Sequence, residues 1–368
     1  MMAHLRLAAA LTLALSIFGS HADAGVVLDY SDTTFFDGSS TVRVKAKAAL
    51  EAAVADINAV IDFNLGAITN DVVTGTSGST TATIDFRYGY RNPTTNATVE
   101  VPNTTMPANE FRIFVGMRPL SGSTLGQGGP GSVGAGFGAS GFFNPGEAQA
   151  AVTAAAAASE HRRGDGPVMA TLSGTVFGSP NDSAYSIEFG PTIGNLWFDD
   201  DVDNLGGSDG DAALDSFWHF DHTTAVDAGK NDFYSVALHE TLHALGVGGS
   251  ETWDSLVTNG TDWTGAEAIA EIGSGIGLID AGGAHITDGT MSFRLSDGMA
   301  QEVVMDPSIF TGTRKSLTTL DAAFLRDLNY TTQITAVPEP SSLLAMTLAG
   351  AGTGLLRRRK PSHRKTRC

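Results

Sequence analysis

Residues 25–336 are predicted to form one α+β domain whose chemistry sits on a single helix. Three observations lead there. An apolar stripe recurs at three- and four-residue spacing through residues 41–63, strand-like alternation runs through residues 80–90, and residues 232–245 form an amphipathic segment with two histidines four positions apart. No internal repeat or strong boundary divides this stretch.

Taken in order, residues 41–63 read as the first helix. TTATIDFRYGY (residues 80–90) and NEFRIFVGM (residues 109–117) read as strands. GQGGPGSVGAGFGASG (residues 126–141) lacks the Lys-Ser/Thr ending of a phosphate loop and reads as a glycine-rich surface loop or connector. Residues 145–161 are alanine-rich and helical in pattern. SIEFG, a turn and NLWF follow as strand material, then a run of acids. Asp232 is a plausible N-cap for the histidine-bearing helix. A long glycine-rich stretch leads to about Met305, and LTTLDAAFLRDL (residues 317–328) reads as a closing helix. Residues 25 to about 110 could be either propeptide or part of the fold.

The two ends have a different character. Residues 1–24 place Arg6 before a short apolar run and end in Ala22-Asp23-Ala24, the order of a secretory signal peptide cut after Ala24. At the other end Pro338-Glu339-Pro340 precedes a 16-residue apolar or small stretch, residues 341–356, and then Arg357, Arg358, Arg359 and Lys360. The stretch is shorter than the roughly 20 residues of a comfortable helical span, and the basic cluster should stay cytoplasmic. Residues 337–368 resemble the PEP-CTERM sorting signal of Gram-negative bacteria. That resemblance implies a short membrane-spanning helix, removal of the tail by an exosortase-type protease after signal-peptidase cleavage, and delivery to the cell surface or extracellular matrix. A permanent membrane anchor is the alternative.

Between these ends, 38 acidic residues face 14 lysines and arginines, a net charge of −24. Such a surface repels polyanions, which excludes nucleic acid as an expected partner. Cys368, the only cysteine, lies in the tail, so the domain contains neither a disulfide nor a thiolate ligand.

The chemistry centres on NDFYSVALHETLHALGVGGS, residues 231–250. His239 and His243 lie on one helical face and can chelate one ion; imidazole nitrogen suits Zn2+. Glu240 stands beside them, placed to take a proton from a water that zinc acidifies and to pass it to a leaving group. At this point the chain resembles the metzincin metalloproteases, the superfamily of matrixins and leishmanolysin, across roughly residues 185–330. Their motif HExxHxxG is matched by His239, Glu240, His243 and Gly246, and Met305 in EVVMDPS resembles the Met-turn. GNLWFDDD resembles the edge strand and acidic loop of that fold, and residues 317–330 its C-terminal helix. The resemblance implies a zincin-like domain with a mixed sheet and an endopeptidase that hydrolyses protein or peptide substrates with one catalytic zinc.

The chain departs from the family at Gly249, where most metzincins carry the third histidine. A catalytic zinc needs three protein ligands and an open position. His285 in GGAHITDG is the favoured third ligand, by analogy with leishmanolysin-like enzymes that delay it. Glu267 or Glu271 is the runner-up, with Asp254 and Glu251 behind. Asp199, Asp200, Asp201, Asp203, Asp209 and Asp211 form a candidate Ca2+ loop that does not match the EF-hand pattern and serves equally well as a solvated acidic loop. His219 and Asp221, in WHFDH, are a weaker candidate for a structural zinc site. The rival reading from a different class is a non-catalytic surface or matrix protein that retains a zincin-like fold.

Overall fold

The computed structural model describes residues 25–101, 104–141 and 144–333. The signal-peptide and sorting-signal segments lie outside these residues. So does the apolar stretch 341–356; among the described residues, no helix is long and apolar enough to cross a membrane.

The chain opens with β1 (Gly25–Asp29) and α1 (Thr41–Val60). There follow β2 (Val72–Ser77), β3 (Thr80–Arg91), β4 (Thr98–Val101), β5 (Glu110–Arg118), β6 (Gly126–Pro130) and β7 (Ser132–Ser140). Next come α2 (Pro145–Ala157), the hairpin β8 (Ala170–Val176) and β9 (Ser183–Phe189), and β10 (Ile193–Asp199). After α3 (Asp211–Phe217) lie the short parallel pair β11 (Trp218–His219) and β12 (Asn231–Asp232), then α4 (Phe233–Ala244) and α5 (Glu251–Leu256). Two small hairpins, β13 (Val257–Thr258) with β14 (Asp262–Trp263) and β15 (Met291–Phe293) with β16 (Ala300–Glu302), flank α6 (Ala266–Ile272). The closing helix is α7 (Thr319–Asp327).

This is a mixed α+β architecture. The sheet that carries the site has the order β1-β5-β10-β6, parallel through β10 and antiparallel at β6. A second sheet is built on the long β3, which pairs with β2 and β4 along one edge and β7 along the other. Helices α1, α4 and α7 pack beside the first sheet in one core, whose fully buried members include Leu50, Phe111, Leu196, Leu238 and Phe324. Phe86, Tyr88, Phe189 and Ile193 centre a second core between the sheets.

Residues 25–110 supply β1 to the central sheet and α1 to the main core. The first helix ends at Val60, short of Phe63, because Ile61 turns extended to bridge Thr332. The long glycine-rich stretch before Met305 contains α5, α6 and paired strands.

Two sequence expectations require correction. Residues 126–141 are no surface loop: they form β6 and β7, which belong to different sheets with only Gly131 between them. Glycine has low strand propensity, which hides these strands from pattern reading. GNLWFDDD is not the edge strand either; β10 is interior, between β5 and β6, and β6 forms the edge.

Packing explains the glycines of β6. A Cβ on Gly128 would lie 2.1 Å from the Glu240 carbonyl oxygen, and one on Gly126 would lie 2.9 Å from the Glu240 side chain. Gly194 on β10 is similarly close to Ala244, at 3.0 Å. The bare strands let α4 lie directly on backbone. Gly134, on β7, has nothing within 4 Å of its added Cβ. Gly128→Ala should therefore destabilise the fold by about 1–3 kcal/mol through overpacking. Gly134→Ala should be neutral or stabilise by about 0.4–1 kcal/mol. Thermal melts of the two variants check this, and equal melting temperatures would contradict it.

Candidate metal centre and cleft

Helix α4 begins where Asp232 caps it, accepting a hydrogen bond from the Ser235 N–H at 3.2 Å. Arg314 grips the same carboxylate with two nitrogens, at 3.0 and 2.7 Å, fixing the helix start against the segment before α7. About two turns on, His239 projects, and His243 follows from the same side about one turn later.

Each histidine is oriented through its Nδ1. His239 Nδ1 lies 2.8 Å from the Val304 carbonyl and His243 Nδ1 lies 2.8 Å from the Val247 carbonyl. A carbonyl only accepts, so each Nδ1 carries the proton and each Nε2 presents a lone pair. The His285 ring joins them. His243 Nε2 stands 3.1 Å from His239 Nε2 and 3.2 Å from His285 Nε2, and the three residues form a cluster able to hold a metal. Lone pairs facing one another at this range repel unless a cation sits among them. Nitrogens bound tetrahedrally at 2.0–2.1 Å are about 3.3 Å apart. The donor set therefore fits zinc in both chemistry and spacing. Burial holds His239 well below its ordinary pKa, with His243 adding to the effect, and burial lowers His243 to about 4, which keeps both rings neutral as ligands must be.

The turn after α4 contains Gly246 and Gly248, both at positive φ, and a Cβ on Gly248 would lie 2.3 Å from the Ala284 carbonyl oxygen. The missing side chain at Gly248 leaves room for the segment that brings His285 in. That segment is pinned on several sides: the Ile286 N–H donates to the Met305 carbonyl at 3.0 Å, the Asp280 N–H to the His285 carbonyl at 2.9 Å, and Trp253 Nε1 to the Gly283 carbonyl at 2.8 Å. Asp280 Oδ2 stands 3.6 Å from His285 Nδ1.

The other third-ligand candidates are engaged elsewhere. Glu267 pairs with Arg326 at 2.8 Å, Glu271 accepts from the Thr319 hydroxyl, and Glu251 accepts from Thr171. Asp254 lies in the first turn of α5 and outside the histidine cluster.

Met305 is fully buried, and its carbonyl accepts the Ile286 N–H next to His285. Its support is a residue that sequence reading missed. Asp321, on α7, forms a capping box with Thr318 and also accepts from the Val304 N–H at 3.1 Å and the Met305 N–H at 3.3 Å. The chain of contacts runs Thr318, Asp321, Val304, His239. A capping box is visible in sequence, since Thr318 stands three residues before Asp321, but nothing local shows that the carboxylate also holds residues 304 and 305.

Glu240 is buried against β6. Burial pushes its carboxyl up to about 8, opposed by the Gly128 N–H. The centre opens into a cleft of about 790 Å³ between β6 on one side and the His285 and post-Met305 segments on the other.

The acidic run divides. Asp201, Asp203 and Asp209 converge into a group able to hold a cation. Asp199 instead accepts the Leu120 and Asp201 N–H groups, Asp211 pairs with Arg43 at 3.0 Å, and neither joins the group, nor does Asp200. His219 and Asp221 form no metal cluster among the described residues. The His219 nitrogens contact backbone of their own loop, and Asp221 pairs with Lys45.

Comparison with known proteins finds the PEP-CTERM protein-sorting motif over residues 336–360. The chain thus carries a signal for export and cell-surface sorting in Gram-negative bacteria, with processing by an exosortase. No curated protein and no solved structure matches the chain.

The raised Glu240 carboxyl sets a pH dependence for the metal-free protein. Between the ordinary value of 4.5 and about 8, the unfolded chain releases this proton and the folded chain keeps it, so stability from this group falls as pH rises. Glu240→Gln should raise the melting temperature of the chelator-treated protein by roughly 5 °C or more at pH 8, with little change at pH 5. An equal shift at both pH values would contradict the burial argument.

Proposed function

We propose that this protein is an exported zinc-dependent endopeptidase of the metzincin type, with His239, His243 and His285 as ligands and Glu240 as general base. The observation that carries this reading is the convergence of three imidazole Nε2 atoms at 3.1–3.2 Å, two with their tautomer fixed by backbone carbonyls, beside a buried glutamate. Zinc, when bound, supplies a Lewis acid that polarises the scissile carbonyl and acidifies water.

The chain's own residues do the rest. Glu240 accepts the proton of the attacking water and passes it to the departing amine. A carboxylate whose proton affinity is tuned upward by burial suits both roles; a bound cation would draw that affinity back toward neutrality. Strand β6 is the edge of its sheet, so one side of its backbone is free of sheet pairing. An extended peptide can add to that edge by main-chain hydrogen bonds, which recognise peptide backbone whatever the side chains. Gly126 and Gly128 bring this edge directly against Glu240.

Glu240→Gln should keep one zinc per chain and lose casein hydrolysis by at least about a hundredfold, the scale of a positioned general base. Cleavage at the wild-type rate would sink the mechanism. His285→Ala should sharply reduce zinc content measured by atomic absorption after dialysis; unchanged stoichiometry would move the third ligand elsewhere.

A further inference from the structure

The wall of the cleft holds a polar group that the hydrolytic reading leaves without a task. Gln127 is the exposed residue of β6 between the two glycines that touch Glu240, and it lines the cleft together with Trp197, its cross-strand partner on β10. Its Oε1 accepts two hydrogen bonds, from Trp197 Nε1 at 2.8 Å and from Arg118 Nη2 at 3.3 Å. With two donors aimed at one atom, the amide has only one allowed orientation. Its Nε2, carrying two N–H groups, is turned away from both and has no hydrogen-bond partner among the described residues.

Arg118 gives this amide an electrostatic bias. The guanidinium stacks on the Trp197 ring at 3.9 Å, is 9% exposed, and has Nη1 buried without a partner. The charged neighbour that acts on it most is Arg91, another cation, and Arg91 itself spends Nη1 on the Asn96 carbonyl. Among the described residues neither arginine forms an ion pair with an acid, so no bonded carboxylate neutralises Arg118 behind Gln127. An acceptor bound to Gln127 Nε2 would sit well inside the roughly 10 Å screening length of Arg118. A donor backed by a cation binds a carboxylate better than a neutral oxygen.

We propose that Gln127, held by Trp197 and Arg118, forms a carboxylate-selective subsite, so that the peptides this cleft takes carry an aspartate or glutamate opposite β6. This rests on the reading of the cleft as a peptide-binding site. Gln127 is the contact residue and Arg118 a positioning residue that acts through it.

The test reads binding without turnover. The full-length, zinc-loaded Glu240→Gln protein is titrated with fluorescent peptides in which each position in turn is Asp, Asn or Leu. At one position Asp should bind about tenfold more tightly than Asn, and Asn more tightly than Leu. Adding Gln127→Leu should abolish both steps. Adding Arg118→Met should remove chiefly the preference of Asp over Asn, which loss of structure alone would not single out, and Arg118→Lys should restore it in part. Gln127 is exposed, so its variant remains informative even where Arg118→Met fails to fold. No Asp preference at any position, no peptide binding at all, or a preference that survives Gln127→Leu overturns the subsite. Hydrolysis by the wild-type protein is scored separately: cleavage without an acidic preference removes the subsite and leaves the enzyme, while an acidic preference without cleavage removes the enzyme and leaves the subsite.

Discussion

The direct seating of α4 on the bare backbone of β6 and β10 is the constraint from which the rest of the site follows. Side chains hold a helix off a sheet; Gly126, Gly128 and Gly194 remove that spacer locally. Glu240 is consequently buried against a strand whose outer edge faces the cleft, and His239 and His243 are turned toward the opening. The same closeness raises the Glu240 pKa, since water that would solvate a carboxylate is excluded. Position, proton affinity and access to the strand edge thus have one structural origin.

The remaining half of the centre is held from α7. Asp321 is fully buried and ties Thr318, Val304 and Met305 together, while the Val304 carbonyl fixes the tautomer of His239. Burial works against this charged carboxylate and raises its pKa, whereas four neighbouring hydrogen bonds draw it down. A buried carboxyl group with this many donors around it ties those segments together. The Met305 carbonyl then receives the Ile286 N–H and so sets where His285 stands. The histidines of α4 and of a distant loop are therefore positioned against one another by a helix that contributes none of them.

The legibility of the sequence follows from this division. Helix α4, its Asp232 cap and its histidine pair are local patterns, visible at 3.6-residue periodicity, and so are α1, α7 and the alternating β3. His285 is legible only through the family resemblance, in which a delayed histidine can complete a site that lacks one at Gly249. β6 and β7 were not legible, because glycines selected for close approach carry no hydrophobic pattern and mimic a loop. β10 reads as an edge strand in the sequence because nothing there marks its partner β6. Asp321 and Asp280 were hidden for another reason: their roles arise from contacts with residues 17 and 5 positions away in the chain, and no spacing rule encodes them. The acidic run misled by composition, since Asp199 and Asp211 have structural partners that local sequence does not show.

The absence of a disulfide from the domain makes these polar ties more consequential. An exported protein with 38 acids against 14 bases carries considerable self-repulsion, and surface ion pairs offset little of it. Arg314 on Asp232 and Arg43 on Asp211 use scarce cations to fasten α4 and α3 to other elements. Arg163, buried, donates to four backbone carbonyls from separate segments instead of to an acid. With so few cations, each has a discernible structural partner, and this makes the partnerless Nη1 of Arg118 informative. A buried guanidinium nitrogen without a partner, beside the cleft and without a counter-charge, costs stability. Under the proposed subsite, a peptide carboxylate held by Gln127 would supply the negative charge that Arg118 lacks.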